Sequence, residues 1–374
     1  MLETDWISVF LTRYLESLLE SPLIVIETLS QVQYQKRIDL LDQHPTDDTL
    51  IDRLQGDLPT LLRTASSNEH EGISILFKGS LTNFIFKSVF TMTQPIIEEG
   101  LNEAIDLFED SNVWTHVASV ALAGVILSPL ELIRTRLIVQ STNPKTRRYW
   151  GPVHALFAIT NSERPTQTST FLGTLYTPRL IIPTFLVYSL SALIKYTAIH
   201  VIQNEFGVDP NEAPVIYRLL MVVAMAVEAA IVTPFEMSRK RILAQPINSF
   251  ARDAENMPND LKSDGGRVGY AGCVEVSRDA YTGVFHCIGC ILNEEGGRVP
   301  KMSTKSVVDW ESKYGKVVFD SAENEGKGRR KGKPRTGYGV RSLFRGFETR
   351  FATSLVAYFG RDIYLIPHAK LLRS

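Results

Sequence analysis

The stretch PLELIRTR (residues 129–136) ends an apolar run and has the form P-x-E-x-x-R-x-R. The same form recurs 105 positions later as PFEMSRKR (residues 234–241), again at the end of an apolar run. A degenerate copy begins at Pro22, where Ile24 takes the place of the acid and Glu27 that of the first base. Proline removes a backbone hydrogen bond and kinks a helix. Each copy therefore predicts a helix that bends just before a charged turn.

The 374-residue chain has 44% hydrophobic residues and a net charge of −1. This balance gives no field that favours nucleic acid, and it leaves open either a large soluble helical protein or a membrane bundle. Three apolar stretches, residues 117–133, 180–194 and 215–235, come close to the length of about 20 residues that crosses a bilayer. They carry few charges, which are costly inside lipid unless they face a partner or a wet interior. We therefore predict helices that span a bilayer and enclose polar groups.

Further landmarks recur with the prolines and predict an internal repeat. A polar tail ending in glutamine follows each proline, at Gln31, Gln140 and Gln245. Phe-Lys-Gly at residues 77–79 is matched by Phe-Arg-Gly at residues 344–346. The predicted units are residues 1–100, 113–203 and 213–370, with polar insertions near 246–276 and 297–339. The second insertion holds a basic run, residues 327–333, which is either a solvated loop or a contact for anionic lipid headgroups.

The sequence offers little catalytic chemistry. Cys287 and Cys290 form a C-x-x-C, but no second pair completes a zinc site, and we expect the cysteines to line a packed helix. His200 and His286 stand alone on apolar stretches. No phosphate-binding glycine loop or nucleophile motif is present. We therefore expect no enzyme activity, no metal and no cofactor.

These motifs resemble those of the mitochondrial carrier family. The resemblance covers nearly the whole chain and includes the short helices expected after Tyr149-Trp150-Gly151 and Tyr281-Thr282-Gly283. It implies an all-α fold: a bundle of six transmembrane helices built from three tandem helix-pair repeats, here with long polar loops. It also implies a ring of ion pairs between repeats that closes one side of the bundle. The residues assigned to the motif and the ring are Pro22, Pro129, Glu131, Arg134, Arg136, Pro234, Glu236, Arg239 and Arg241.

The ring is predicted to be partial. With the acid missing at Ile24, only units two and three can join opposite charges at the motif positions. No clean copy of the family's second gate appears at the far ends of the even-numbered helices. Arg179 and Arg350, placed at matching points of the fourth and sixth helices, are candidate contacts for a solute or for lipid headgroups. Glu228 is an intramembrane acid for which the sequence names no partner.

The partial ring, the near-neutral charge and the long loops resemble the divergent carriers of the mitochondrial outer membrane, of the kind that fungi require for mitochondrial fusion. That resemblance implies a non-transporting scaffold or adaptor in the bilayer of the outer membrane, acting with dynamin-like GTPases of the two mitochondrial membranes. A homodimer is left open, and no nucleic acid is expected. The alternative is a solute carrier, placed in the inner membrane, that exchanges an unidentified small metabolite.

Overall fold

The computed structural model describes residues 3–35, 51, 54, 56–67, 71–105, 112–143, 147–163, 170–247, 272–277, 280–295 and 340–371. These residues are mostly helical and contain no β-strand, so the prediction of an all-helical fold is confirmed for them. The whole second insertion, with the basic run at 327–333, and most of the first insertion lie outside the described residues. The α-helices are α1 (Glu3–Val32), α2 (Leu58–Ser66), α3 (Ser80–Ala104), α4 (Val113–Ile126), α5 (Ser128–Val139), α6 (Pro152–Ser162), α7 (Phe171–Leu175), α8 (Pro178–His200), α9 (Pro214–Ala244), α10 (Val284–Glu294), α11 (Val340–Leu343) and α12 (Phe347–Leu371).

Three helical stretches among the described residues are long and apolar enough to cross a membrane: Ile73–Ala104, Pro178–Glu205 and Pro214–Ala244. The pair α4 and α5 makes a fourth if it forms one bent span, with an angle of 55° between the two helices. Large apolar side chains on these stretches face outward, including Ile96, Ile182 and Val223. An exposed apolar belt of this kind indicates a membrane protein.

The long helices pack in a closed sequence around a common interior. Following the chain, α1 packs on α3, α3 on α4, α4 on α8, α8 on α9 and α9 on α12. The last of them, α12, returns to pack on α1. This closure brings the C-terminal halves of α1, α5 and α9 together with the N-terminal halves of α3, α8 and α12, so the polar residues of those segments face one another.

The recurring prolines do not bend the chain equally. Pro129 follows a break at Leu127, where α4 ends and α5 begins. Pro22 and Pro234 lie inside helices that continue without a break, α1 and α9. The expected kink before every charged turn is therefore seen as a helix break in the second unit only. As a result, the predicted stretch 117–133 divides between two helices rather than forming one straight span.

Short helices lie beside the bundle in each unit. Helices α6 and α10 follow the Tyr-x-Gly landmarks as predicted, and they pack on α5 and α9. The first unit also has such a helix, α2, within a polar part of the sequence. Leu61 and Ala65 on α2 are buried against the core, so this segment is not merely a solvated linker.

Candidate functional site: an ionic layer at one end of the bundle

Charged side chains from several helices meet in one buried layer, which we call the ionic layer. At its centre, Arg239 of α9 pairs with Glu131 of α5, and both side chains are less than 5% exposed. Glu131 also accepts a hydrogen bond from the Tyr188 hydroxyl of α8 at 2.8 Å. The Arg239 guanidinium lies 5.3 Å from the centre of the Tyr188 ring. The layer consists of Glu27, Asn83, Glu131, Arg134, Glu236, Arg239, Lys240 and Arg350.

A second ion pair links α9 to α1. Lys240 Nζ lies 2.8 Å from Glu27 Oε1, and both side chains are buried. Lys240 also lies 3.2 Å from Glu236 on its own helix. This pair adds a charged link to the one between units two and three, which was the only one predicted at the motif positions. Glu27 stands where the motif has its first base, and its partner Lys240 lies one residue beyond the motif base Arg239. The two opposite charges therefore pair although Lys240 is not a motif position.

The link between units one and two is a hydrogen bond rather than an ion pair. Arg134 of α5 donates to Asn83 Oδ1 of α3 at 2.7 Å. Asn83 in turn donates to the Ser17 hydroxyl of α1 at 3.1 Å. The layer thus links α3 to α5, α5 to α9 and α9 to α1, and two of these three links are between full charges. Ion pairs of this depth are costly to break, because one buried charge is left without compensation.

Arg136 and Arg241, the last residues of the two motifs, lie outside the ionic layer. Arg136 pairs with Glu163, which follows α6, and donates to the Gln245 carbonyl at 2.8 Å. Arg241 pairs with Glu295, which follows α10, and donates to the Gln31 carbonyl at 2.9 Å. Arg136 therefore connects the end of α6 to the end of α9, and Arg241 connects the end of α10 to the end of α1. Their role is to hold the periphery of the layer.

Arg179 and Arg350 do not occupy matching positions, which corrects another prediction. Arg179 donates to the side chain of Gln245, at the end of α9, at 2.8 Å. Lys78 contacts the Gln140 carbonyl and Arg345 the Gln33 carbonyl in the same manner. By its contacts, Arg179 is thus the second-unit counterpart of the basic residues in the Phe-Lys-Gly and Phe-Arg-Gly landmarks. It braces the rim of the bundle instead of facing a solute path.

Arg350 lies in the interior of the bundle and is a partner of Glu228, the acid for which the sequence named none. It lies 2.8 Å from Glu228 Oε1 and also pairs with Glu236. Glu228 further accepts a hydrogen bond from Ser191 at 2.6 Å and lies 3.8 Å from Lys195 Nζ. Glu228 therefore has partners on α8 and α12, one helix on either side of its own. The sequence could not supply them, because they come from distant parts of the chain.

The opposite end of the bundle carries a different contact. Glu98, near the end of α3, lies 3.2 Å from His116 Nδ1 at the start of α4. Gln94 donates to the Ser119 hydroxyl at 3.1 Å in the same place. Both contacts join units one and two. A gate motif within one helix could not predict this pair, because its histidine lies on the following helix.

The surroundings shift the pKa values of several groups at the periphery of the layer. Burial would raise the pKa of Glu71, but Lys78 at 2.5 Å and bonds from Thr142 outweigh it, so this pKa lies below its ordinary value. Burial raises the pKa of Cys273 to about 12 and that of Cys287 to about 11. Both thiols are therefore protonated and unreactive in the folded protein. Cys287 lies on α10 as predicted, whereas Cys273 is buried in a bend outside any helix.

The described residues contain no group of three or more acidic, histidine or cysteine side chains placed to hold a metal ion. Comparison with known proteins adds no identity to this geometry: no family model and no curated protein matches the chain. The class of protein must therefore be inferred from the helical bundle and its ionic layer.

Proposed function

We propose that the chain is a non-transporting membrane scaffold of the mitochondrial carrier type, with six spanning helices arranged as three repeats. It resides in the mitochondrial outer membrane and acts in membrane fusion or shaping, together with dynamin-like GTPases. The repeats take the limits 1–100, 113–203 and 213–370. In this arrangement α1, α3, the bent pair α4 and α5, α8, α9 and α12 are the six spans.

One observation carries the proposal: the buried interior charges of the layer are engaged with one another. Arg350, a candidate solute contact, is held by Glu228 and Glu236. Glu131 pairs with Arg239, and Glu27 pairs with Lys240. A solute would have to displace partners that are already in place. Transport by alternating access also requires two states of similar energy, and this network stabilises one of them.

The solute carrier remains a second candidate, because one finding favours it. The pair Lys240–Glu27 makes the layer more complete than the motif alone predicts. A complete layer is what a carrier needs to close one side. The carrier hypothesis then requires that the layer separates during a transport cycle, whereas the scaffold hypothesis requires that it stays intact.

Mitochondrial content mixing tests the proposed role. Cells that lack the protein are fused with partners whose mitochondria carry a second fluorophore, and the wild-type chain is returned on a plasmid. We expect loss of mixing without the chain and recovery with it. Protease treatment of intact mitochondria should cleave the protein, as expected for the outer membrane. Unchanged mixing, or a protein confined to the inner membrane, would refute the role.

A further inference from the structure

Polypeptide from the loops covers the end of the bundle at which the ionic layer lies. Ile51 and Leu54 come from the connection between α1 and α2, and residues 272–277 from the connection between α9 and α10. We call Ile51, Leu54 and residues 272–277 the clasp. Its apolar side chains Ile51, Leu54, Cys273 and Val274 are at most 4% exposed and belong to the main core. The last residues of the polar insertion near 246–276 are therefore part of the core.

Backbone hydrogen bonds run through the clasp from one repeat to another. The Cys273 amide donates to the Val139 carbonyl of α5 at 2.7 Å, and the Ile51 amide donates to the Cys273 carbonyl at 2.8 Å. Gly272 and Gln140 form an antiparallel bridge beside them. The Tyr34 amide, just beyond α1, donates to the Glu275 carbonyl at 2.8 Å. The ends of α1 and α5 are thus connected through chain from the first and third units.

Gln33 holds the clasp to the end of α1. Its side-chain oxygen accepts from the Leu54 amide at 2.8 Å, and its side-chain nitrogen donates to the Ile51 carbonyl at 3.3 Å. Its own carbonyl accepts from Arg241 and Arg345, two of the residues that anchor the rim of the layer. Gln33 is itself only 3% exposed. Gln33 therefore connects the clasp to two arginines at the periphery of the ionic layer.

We propose that the clasp is a conformational lock: the end of the bundle at the ionic layer separates only when residues 272–277 and the pair Ile51 and Leu54 undock. Opening that end requires α1 and α5 to move apart. Such a movement would break the hydrogen bonds between the amides and carbonyls of the clasp. Leaving buried polar groups without partners is costly. The inference rests on the helical-bundle part of the proposed function and not on the role in fusion.

Cysteine labelling of the purified full-length protein tests the lock, since the two buried thiols lie in different places. Cys273 belongs to the clasp, whereas Cys287 lies on α10, and both are fully buried. In wild-type protein N-ethylmaleimide should modify the partly exposed Cys290 and spare the other two, as mapped by peptide mass spectrometry. Gln33→Ala removes both side-chain bonds to the clasp. It should raise the labelling rate of Cys273 by at least about tenfold while Cys287 stays protected.

A second variant attacks the clasp from its other side. A Cβ on Gly272 would lie 2.9 Å from the Val274 carbonyl oxygen, so Gly272→Val forces that segment to move. The same selective labelling of Cys273 is expected. Gln203→Ala, at an exposed glutamine after α8, is the matched control and should label like wild type. Protection of Cys273 in both clasp variants would overturn the proposal. Equal labelling of Cys273 and Cys287 would do so too, because it would show that the clasp cannot open apart from the whole fold.

Discussion

Replacing Glu131 with glutamine is the sharpest perturbation of the ionic layer. The substitution keeps the shape of the side chain and removes its charge, so Arg239 loses its carboxylate while both residues remain less than 5% exposed. Arg134, 3.3 Å from Glu131, loses the same partner. Breaking a buried pair from one side costs about 3–5 kcal/mol. For a chain of this size we expect the melting temperature to fall by roughly 5–15 °C.

The protein supplies its own reporter for this measurement. Cys273 and Cys287 are buried, so a thiol-reactive dye reads unfolding in detergent as they become exposed. Glu16→Gln is the matched control, because it breaks an exposed pair with Arg13 at 3.4 Å. Exposed pairs contribute little, so this variant should melt within about 2 °C of wild type. The double variant Glu131→Gln with Arg239→Gln should lose less than the sum of the single losses. If Glu131→Gln melts like Glu16→Gln, the layer does not stabilise the bundle.

Three further predictions concern the melting temperature, read by far-ultraviolet circular dichroism. Lys240→Met should lower the melting temperature by a similar roughly 5–15 °C, since it leaves its partner on α1 buried and unpaired; an unchanged value would place that carboxylate outside the layer. Gly124→Ala should cost about 1–3 kcal/mol, because the added Cβ would lie 2.4 Å from the Tyr188 ring where α4 crosses α8; a melting temperature equal to that of wild type would contradict this close packing. The pKa of Glu71 lies below its ordinary value of 4.5, so its contribution is present above that pH and is lost as the pH falls further. Wild type should therefore lose melting temperature below about pH 4.5 more steeply than Glu71→Gln, and parallel curves would contradict the assignment.

The sequence predicted the two motif helices and part of the layer. Glycine, proline and charge landmarks recur at fixed spacing, and such spacing places residues on equivalent turns of equivalent helices. For that reason Glu131 and Arg239 could be named before the structure was known, and they lie together. The short helices after Tyr149 and Tyr281 were equally accessible, because glycine and proline at their starts mark where each begins.

The remaining contacts depend on how the helices are rotated, which spacing does not determine. Lys240 stands one position beyond the motif base, so matching by motif position could not pair it with Glu27. Arg179 lacks the neighbouring glycine of its counterparts Lys78 and Arg345, and its role became visible only through its contact with Gln245. The clasp was hidden by composition, because its few apolar residues are embedded in strongly polar sequence.

Access to the bundle interior tests the central claim, that the layer stays closed, without any knowledge of a solute. Ser191→Cys places a thiol beside Glu228 in the interior, in a chain whose three native cysteines are changed to serine. A membrane-impermeant maleimide is then applied to oriented proteoliposomes from each side in turn. The account predicts labelling only from the side opposite the ionic layer. Labelling from both sides would show that the layer opens, as it does in a working carrier, and would contradict the account.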